Sequence, residues 1–327
     1  MSVPKLAWPL LRLVVGLGLL AWAVSGTDWT ALGSGLVTPP LLLLICGLPF
    51  VAAALDVVRL QLLYRAQGLH LPFGIGFRVS AISALLNFFV PGAAGGDLVK
   101  VWYLNSAGCG GPETAAIWFM DRLTGLLSLL LFVALAGMAN VALVASDPLL
   151  LWLHRAGVVA AAVSALGLLL SGTRLLPWGV GLLSGLPAVH TPLARAATSI
   201  ATYGKQPGRL ALTLVVSLAS HGVLVGTLVA EALWLMPEAS SARVALLSLF
   251  GLFANAVPLT PGGLGVGEAA FDGLFHRVGI DGGSQLLLLW RIGMIPLCAA
   301  GGVYYTLGLH RPAPAPPAGA TSAGLAG

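Results

Sequence analysis

The chain has 327 residues, 58% of them hydrophobic and only 8% charged, with 43 glycines and a formal net charge of +5. A soluble domain carries roughly 25% charged residues, so this composition excludes one and predicts an all-α polytopic membrane protein. The Lys and Arg residues lie scattered among apolar runs; they read as topology signals and anionic-headgroup contacts, and no nucleic-acid surface is expected.

Six runs reach the length needed to span, about 20 residues each. They are Leu6–Ser25, Leu41–Tyr64, Ala115–Leu135, Leu149–Leu170, Leu210–Leu235 and Gln285–Leu309. Lys5 and Arg12 flank the first, but no A-x-A-like cleavage site follows, so a spanning helix is expected there and not a signal peptide. Two shorter runs, Gly74–Val90 and Val244–Val257, each end in a stretch rich in Pro and Gly. Each stretch is followed by a second short helix, Asp97–Ser106 and Gly267–Val278. The expected architecture is therefore about six spans plus two broken, re-entrant-type units, 74–106 and 244–278, within a single domain 1–311. The connection Gly172–Gly208 holds an amphipathic piece, Leu193–Tyr203, expected on the membrane surface. Residues 312–327 are rich in Pro, Ala and Gly and are expected to form a disordered tail.

Lys and Arg set the orientation. Lys5 and Arg12 place the N-terminus in the cytoplasm, as Arg311 does the C-terminus. Arg65 and Arg78 mark an inner loop, as do Arg174, Arg195, Lys205 and Arg209; the loops at Asp28 and Asp147 fall outside. On this count the first broken unit enters from the cytoplasm and the second from outside, an inverted repeat. Arg243, Arg277 and His154-Arg155 count against it.

The first break reads Asn87-Phe-Phe-Val-Pro91-Gly92-Ala-Ala-Gly95-Gly96-Asp97. The second reads Asn255-Ala-Val-Pro258-Leu-Thr-Pro261-Gly262-Gly263-Leu-Gly265-Val-Gly267-Glu268. Irregular backbone at membrane depth must be buried in protein or line a wet cavity, since lipid offers it no hydrogen bonds. After each acid come a short helix, a Gly-rich turn and a further helix, carrying Asp121-Arg122 in one case and Arg291 in the other. Asp97 and Arg122 each lie about ten residues from their turn, roughly 15 Å along a helix, and Glu268 and Arg291 are placed similarly. Antiparallel packing then lets each acid meet its arginine. With Lys100 nearby, the two breaks suit an anionic group such as a lipid phosphate, held by arginine forks and helix N-termini. The plainer alternative is a pair of structural ion pairs with glycines for close packing.

Other features carry less. Asp56 and Arg59, at i,i+3, read as a local pair near the cytoplasmic surface. His221 and Glu231 share one span, where polar groups glue helices; a proton relay is the alternative reading. Trp8, Trp22, Trp29, Trp152 and Trp178 fit interfacial anchoring. Cys46, Cys109 and Cys298 imply no disulfide framework, and the histidines lack metal-ligand spacing, so neither metal nor cofactor is expected. Gly263-x-Gly265-x-Gly267 lacks the strand context of a nucleotide site, and no Walker motif is present.

These same residues resemble the transmembrane region of lysylphosphatidylglycerol synthases and their stand-alone, flippase-like relatives. The matching pieces are Asn87, Pro91-Gly92, Gly95-Gly96-Asp97 and Asp121-Arg122, then Pro258-Leu-Thr-Pro261-Gly262-Gly263-Leu-Gly265-Val-Gly267-Glu268 and Arg291. The first motif here reads Pro-Gly-Ala-Ala-Gly-Gly-Asp, looser than the second. The resemblance implies a multi-pass protein of the bacterial or archaeal cell (inner) membrane that moves or handles lipids. In two-part relatives a soluble C-terminal domain transfers an aminoacyl group from tRNA to phosphatidylglycerol. That domain is not found here, so synthase activity is not expected.

The function expected is a lipid translocase, not an enzyme, that binds a polar or anionic headgroup between the two broken units. The expected site comprises Asn87, Asp97, Lys100, Asp121, Arg122, Asn255, Glu268 and Arg291. The lipid would be a phospholipid, a hopanoid or a polyprenyl-linked lipid, and lipid-pathway enzymes are the expected protein partners. The alternatives are a non-catalytic subunit of a lipid-modifying pathway and an integral membrane transferase using Asp97 or Glu268 as base.

Overall fold

A computed structural model describes residues 39–89, 94–106, 111–173, 178, 187–256 and 259–307. The expected span Leu6–Ser25, residues Pro91, Gly92, Cys109, Pro258 and Arg311, and the tail 312–327 lie outside the described residues.

Eleven α-helices and no β-sheet occur among the described residues. They are α1 (Pro39–Ala66), α2 (Phe73–Phe89), α3 (Ala94–Ser106), α4 (Gly111–Ala139), α5 (Val141–Ser146), α6 (Pro148–Leu170), α7 (Pro187–Gly204), α8 (Pro207–Leu235), α9 (Ser241–Asn255), α10 (Val266–His276) and α11 (Gly283–Thr306). Five of them, α1, α4, α6, α8 and α11, are long and apolar enough to cross a membrane. The helices start where local chemistry favours it. Asp147 caps α6 by accepting from Leu149 N at 2.8 Å and Leu150 N at 3.1 Å, with Pro148 in the first turn. An N-cap carboxylate satisfies backbone donors that have no intrahelical partner, and proline at the first position gives up none that is needed.

α1 and α8 pack together and run antiparallel. Arg209 Nη1 donates to Arg65 O at 2.9 Å near one end, and Ser220 Oγ donates to Asp56 Oδ1 at 2.9 Å farther along. Their C-terminal ends therefore lie at opposite ends of the bundle. α2 follows α1, and α9 follows α8, so these two helices also start at opposite ends.

Each of them belongs to a helical hairpin that returns to the end where it began. The start of α2 and the end of α3 share one apolar cluster, in which Tyr64, Leu71, Val79, Tyr103 and Leu104 are buried. The start of α9 and the end of α10 share another, with Val244, Leu274, Phe275 and Leu286. At that second end Asn140 Nδ2 donates to Ala242 O at 2.9 Å, and Arg277 Nε donates to Asp147 Oδ2 at 2.7 Å. α2 packs on α1, α3 and α11; α9 packs on α8, α10 and α4.

α7 is longer than the amphipathic piece expected there. Ala197 and Tyr203 are buried, with α7 packed chiefly on α4. Tyr203 Oη donates to Leu63 O at 3.2 Å. This apolar face is thus covered by the protein, burying Tyr203 against the end of α1.

Candidate functional site

The second break is a built turn. Gly262, Gly263 and Gly265 have φ of +59°, +68° and +79°, a backbone region open to glycine and costly for other residues. At Gly263 a Cβ would also strike the backbone and side-chain oxygens of Asn255. The turn is closed by Thr260 Oγ1, which donates to Leu264 O at 2.8 Å. α10 then begins, and Glu268 in its first turn reaches back to accept from Gly265 N at 2.7 Å. A carboxylate here meets unpaired backbone donors and the positive end of the helix dipole.

Arg291 of α11 ties this turn together. Its Nε stands 2.6 Å from Glu268 Oε1, a close ion pair whose angle is not that of a hydrogen bond. Its Nη2 donates to Asn255 Oδ1 at 2.8 Å, and its Nη1 to Gly262 O at 2.9 Å. Glu268 is fully buried and Arg291 nearly so. One planar guanidinium thus joins the end of α9, the turn and the start of α10, a task a lysine could not do.

The first break is held differently. Asn87 Oδ1 accepts from Gly96 N at 2.7 Å, and Ser83 Oγ lies 2.7 Å from Val79 O and 3.1 Å from Gly96 O. At Gly95 a Cβ would collide with Leu86 O, so α2 and α3 meet backbone to backbone. Asp97 pairs with Arg122, but the arginine side chain is 47% exposed. Its neighbour Asp121 is buried and holds two cations, Arg59 Nε at 2.9 Å and Lys100 Nζ at 3.0 Å. Arg59 Nη1 also lies 3.2 Å from Asp56 Oδ1. The chain of contacts therefore runs Ser220–Asp56–Arg59–Asp121–Lys100 across α8, α1, α4 and α3.

Between the two breaks lies a cavity of about 360 Å³. Asn87 and Asn255, one from the inner end of each hairpin's leading helix, both line it. Lys100 and Arg291 supply its cations, Asp56 its carboxylate, and Ser220, His221 and Thr227 its polar wall on α8. Pro49, Met294, Leu297 and Trp290 contribute apolar surface.

Of the expected site residues, the cavity therefore gathers Asn87, Lys100, Asn255 and Arg291, with Gly262. Asp97, Asp121, Arg122 and Glu268 do not line it. Glu268 and Asp121 stand behind the cations they hold, and the Asp97–Arg122 pair sits at the periphery. Successive helical residues point about 100° apart, so Asp121 and Arg122 cannot both face inward. Pro261, Gly95, Gly96, Gly263, Gly265 and Gly267 shape the turns and do not form the cavity wall, whereas Gly262 does both. Asp56 and Arg59 also need correcting. They do pair locally, but Arg59 is buried, its charge is answered by Asp121, and Asp56 faces the cavity. Their i,i+3 spacing signalled the pair; the partner 62 residues away left no local signal. Among the described residues no group of His, Cys, Asp and Glu could hold a metal ion.

The family model described as the lysylphosphatidylglycerol synthase TM region matches residues 10–301. No curated protein matches the chain, and no solved structure does.

Proposed function

Since the chain belongs to the lysylphosphatidylglycerol synthase TM-region family, and is thus an integral, multi-pass membrane protein tied to lipid metabolism, we propose that it translocates a lipid by its headgroup. The observation that carries this reading is the cavity lined from both hairpins, with Lys100 and Arg291 in its wall. A volume of about 360 Å³ lies within the range of small-molecule pockets, roughly 300–1,000 Å³, and suits a headgroup whose acyl chains stay in the bilayer. Two cations against one carboxylate, Asp56, in its wall favour an anionic group such as a phosphate.

The repeat reading is part of this proposal. Exchanging α1 with α8, α2 with α9, α3 with α10 and α4 with α11 turns each packed pair into another packed pair: α2 on α11 becomes α9 on α4, and α1 on α11 becomes α8 on α4. The antiparallel α1–α8 pair supports an axis in the membrane plane, hence inverted halves with one re-entrant hairpin from each side. Such halves can exchange roles, which provides alternating access around one fixed site.

The test is reconstitution in phosphatidylcholine vesicles containing fluorescent phosphatidylglycerol. Inter-leaflet movement is followed by quenching of the outer leaflet. Lys100→Ala is expected to slow movement at least tenfold while the protein remains folded. Movement at the unsubstituted rate would sink the assignment of this cavity.

A further inference from the structure

Glu231, on α8, takes no part in the site described so far. It is fully buried, and neither carboxylate oxygen has a hydrogen-bond partner. Its neighbours Leu228 and Ala232 belong to a large apolar cluster with Val244, Leu247 and Phe250. Among the described residues no ion pair reaches it. On the helices packed against α8, charged and titratable groups are few at this level. α1 offers only Cys46 between Pro39 and Leu55, α9 only Arg243, and α4 nothing after Arg122; α7 carries Arg195 and Tyr203, the latter on Leu63 O beside the starting end of α8, far from Glu231. On α11 the nearest in sequence to its starting end is Arg291, which is committed to Glu268.

An ionised carboxylate without a partner is not sustained in such surroundings; it takes up a proton instead. Most buried polar groups are satisfied, so an orphaned carboxyl calls for a reason. Position supplies one. Thr227 lies four residues earlier on the same helix, about 6 Å along it, and lines the cavity. His221 lines it too, with Nδ1 2.7 Å from Ser128 Oγ and 3.0 Å from Ser217 O. One face of α8 thus runs from the headgroup cavity to a carboxyl one turn beyond it.

We infer that Glu231 is a proton-binding site coupled to lipid movement: it carries a proton in the conformation described and releases it when the cavity and its water reach that depth. One O–H bond forms or breaks per event, and the proton exchanges with water in the cavity. The inference rests on the translocation reading for its coupling, but not for the state of the carboxyl.

Two measurements on the full chain in vesicles separate these. Infrared spectroscopy at neutral pH should show the C=O band of a buried carboxylic acid, lost in Glu231→Gln and retained in Glu238→Gln at the exposed α8–α9 turn. Absence of the band, or its survival in Glu231→Gln, would overturn the inference whatever the lipid does. In the second measurement a pH step is imposed across the vesicle. With one proton per lipid, the leaflet distribution should shift up to about tenfold per pH unit, and Glu231→Gln should abolish the shift. A band without any shift in actively translocating protein would overturn the coupling. If no lipid moves at all, the translocation reading fails while the band still decides the proton. Should Glu231→Gln not fold, Glu231→Asp must keep an acid band at a changed frequency; no change would overturn the assignment.

Discussion

The two broken units share a plan and hold their charges in different ways. In the second unit one arginine bonds the asparagine, the turn carbonyl and the acid, and all three groups converge on the buried guanidinium of Arg291. In the first unit the corresponding jobs are divided. Asn87 fixes the break by itself through Gly96, Arg122 pairs with Asp97 at the exposed rim, and the cation that reaches the cavity is Lys100. The difference teaches that an acid–arginine pair at matching depth is compatible with two roles. One clamp is saturated and holds geometry; in the other half the cation facing the cavity is Lys100, an ammonium on a flexible stem held by Asp121 alone. A headgroup would then find a cation held by three partners on one wall and one held by a single carboxylate on the other.

The largest expected effect comes from opening the saturated clamp. Glu268→Ala or Arg291→Ala leaves a buried charge unpaired, which costs about 3–5 kcal/mol. Thermal unfolding in detergent should register a large fall in midpoint or a failure to accumulate folded protein. Arg291→Lys should rescue little, because a point charge cannot span Asn255, Gly262 and Glu268 together. Retention of the midpoint in Arg291→Ala would erase the contrast between the halves.

Next in size is the turn itself. Gly263→Ala places a Cβ against Asn255 and forces a non-glycine residue to φ +68°. Such strain costs on the order of 1–3 kcal/mol. The substitution should lower the unfolding midpoint less than Arg291→Ala does. It should also slow lipid movement, since Asn255 lines the cavity. An unchanged midpoint would mean that the turn is not held as described.

Lys100→Ala sharpens the comparison from the other side. Asp121 keeps Arg59, so the buried carboxylate is not left alone, and the stability loss should stay within about 1–3 kcal/mol, the cost of leaving a buried acceptor one partner short. Lipid movement should nevertheless fall at least tenfold. A variant that lost stability and kept transport would reverse the roles given to the two cations.

How much of this was legible follows from which physical rule carried each part. Helix rise is fixed, so counting residues from the Gly-rich turns was enough to match Asp97 with Arg122 and Glu268 with Arg291. Pro and Gly runs mark broken backbone, so both hairpins could be read. Rotational phase was not legible. Asp121 and Arg122 are adjacent in sequence, and only packing against Arg59 and Lys100 decides that the first turns inward. The wall of Asp56, Ser220 and His221 was hidden for a related reason: it assembles across α1 and α8, and no local pattern links positions 164 residues apart.

The smallest effect is expected at Arg122, and it is the most discriminating. By spacing alone Arg122 is the counterpart of Arg291, and a symmetric device would make the two equally costly to remove. Here, however, the Arg122 side chain is 47% exposed and the Asp97 side chain 17%. Exposed pairs contribute about 0–1 kcal/mol, because water screens the attraction and holding two long side chains in one geometry costs entropy. Asp97 also keeps its place in the first turn of α3, where the helix dipole favours a carboxylate without help. Arg122→Ala should therefore shift the unfolding midpoint by no more than a few degrees and leave lipid movement within twofold, because no atom of Arg122 lines the cavity. A loss on the scale of Arg291→Ala would mean that the first half, too, closes around its arginine during the cycle. The asymmetry described here would then belong to one conformation only, with the halves exchanging roles as the cavity changes sides.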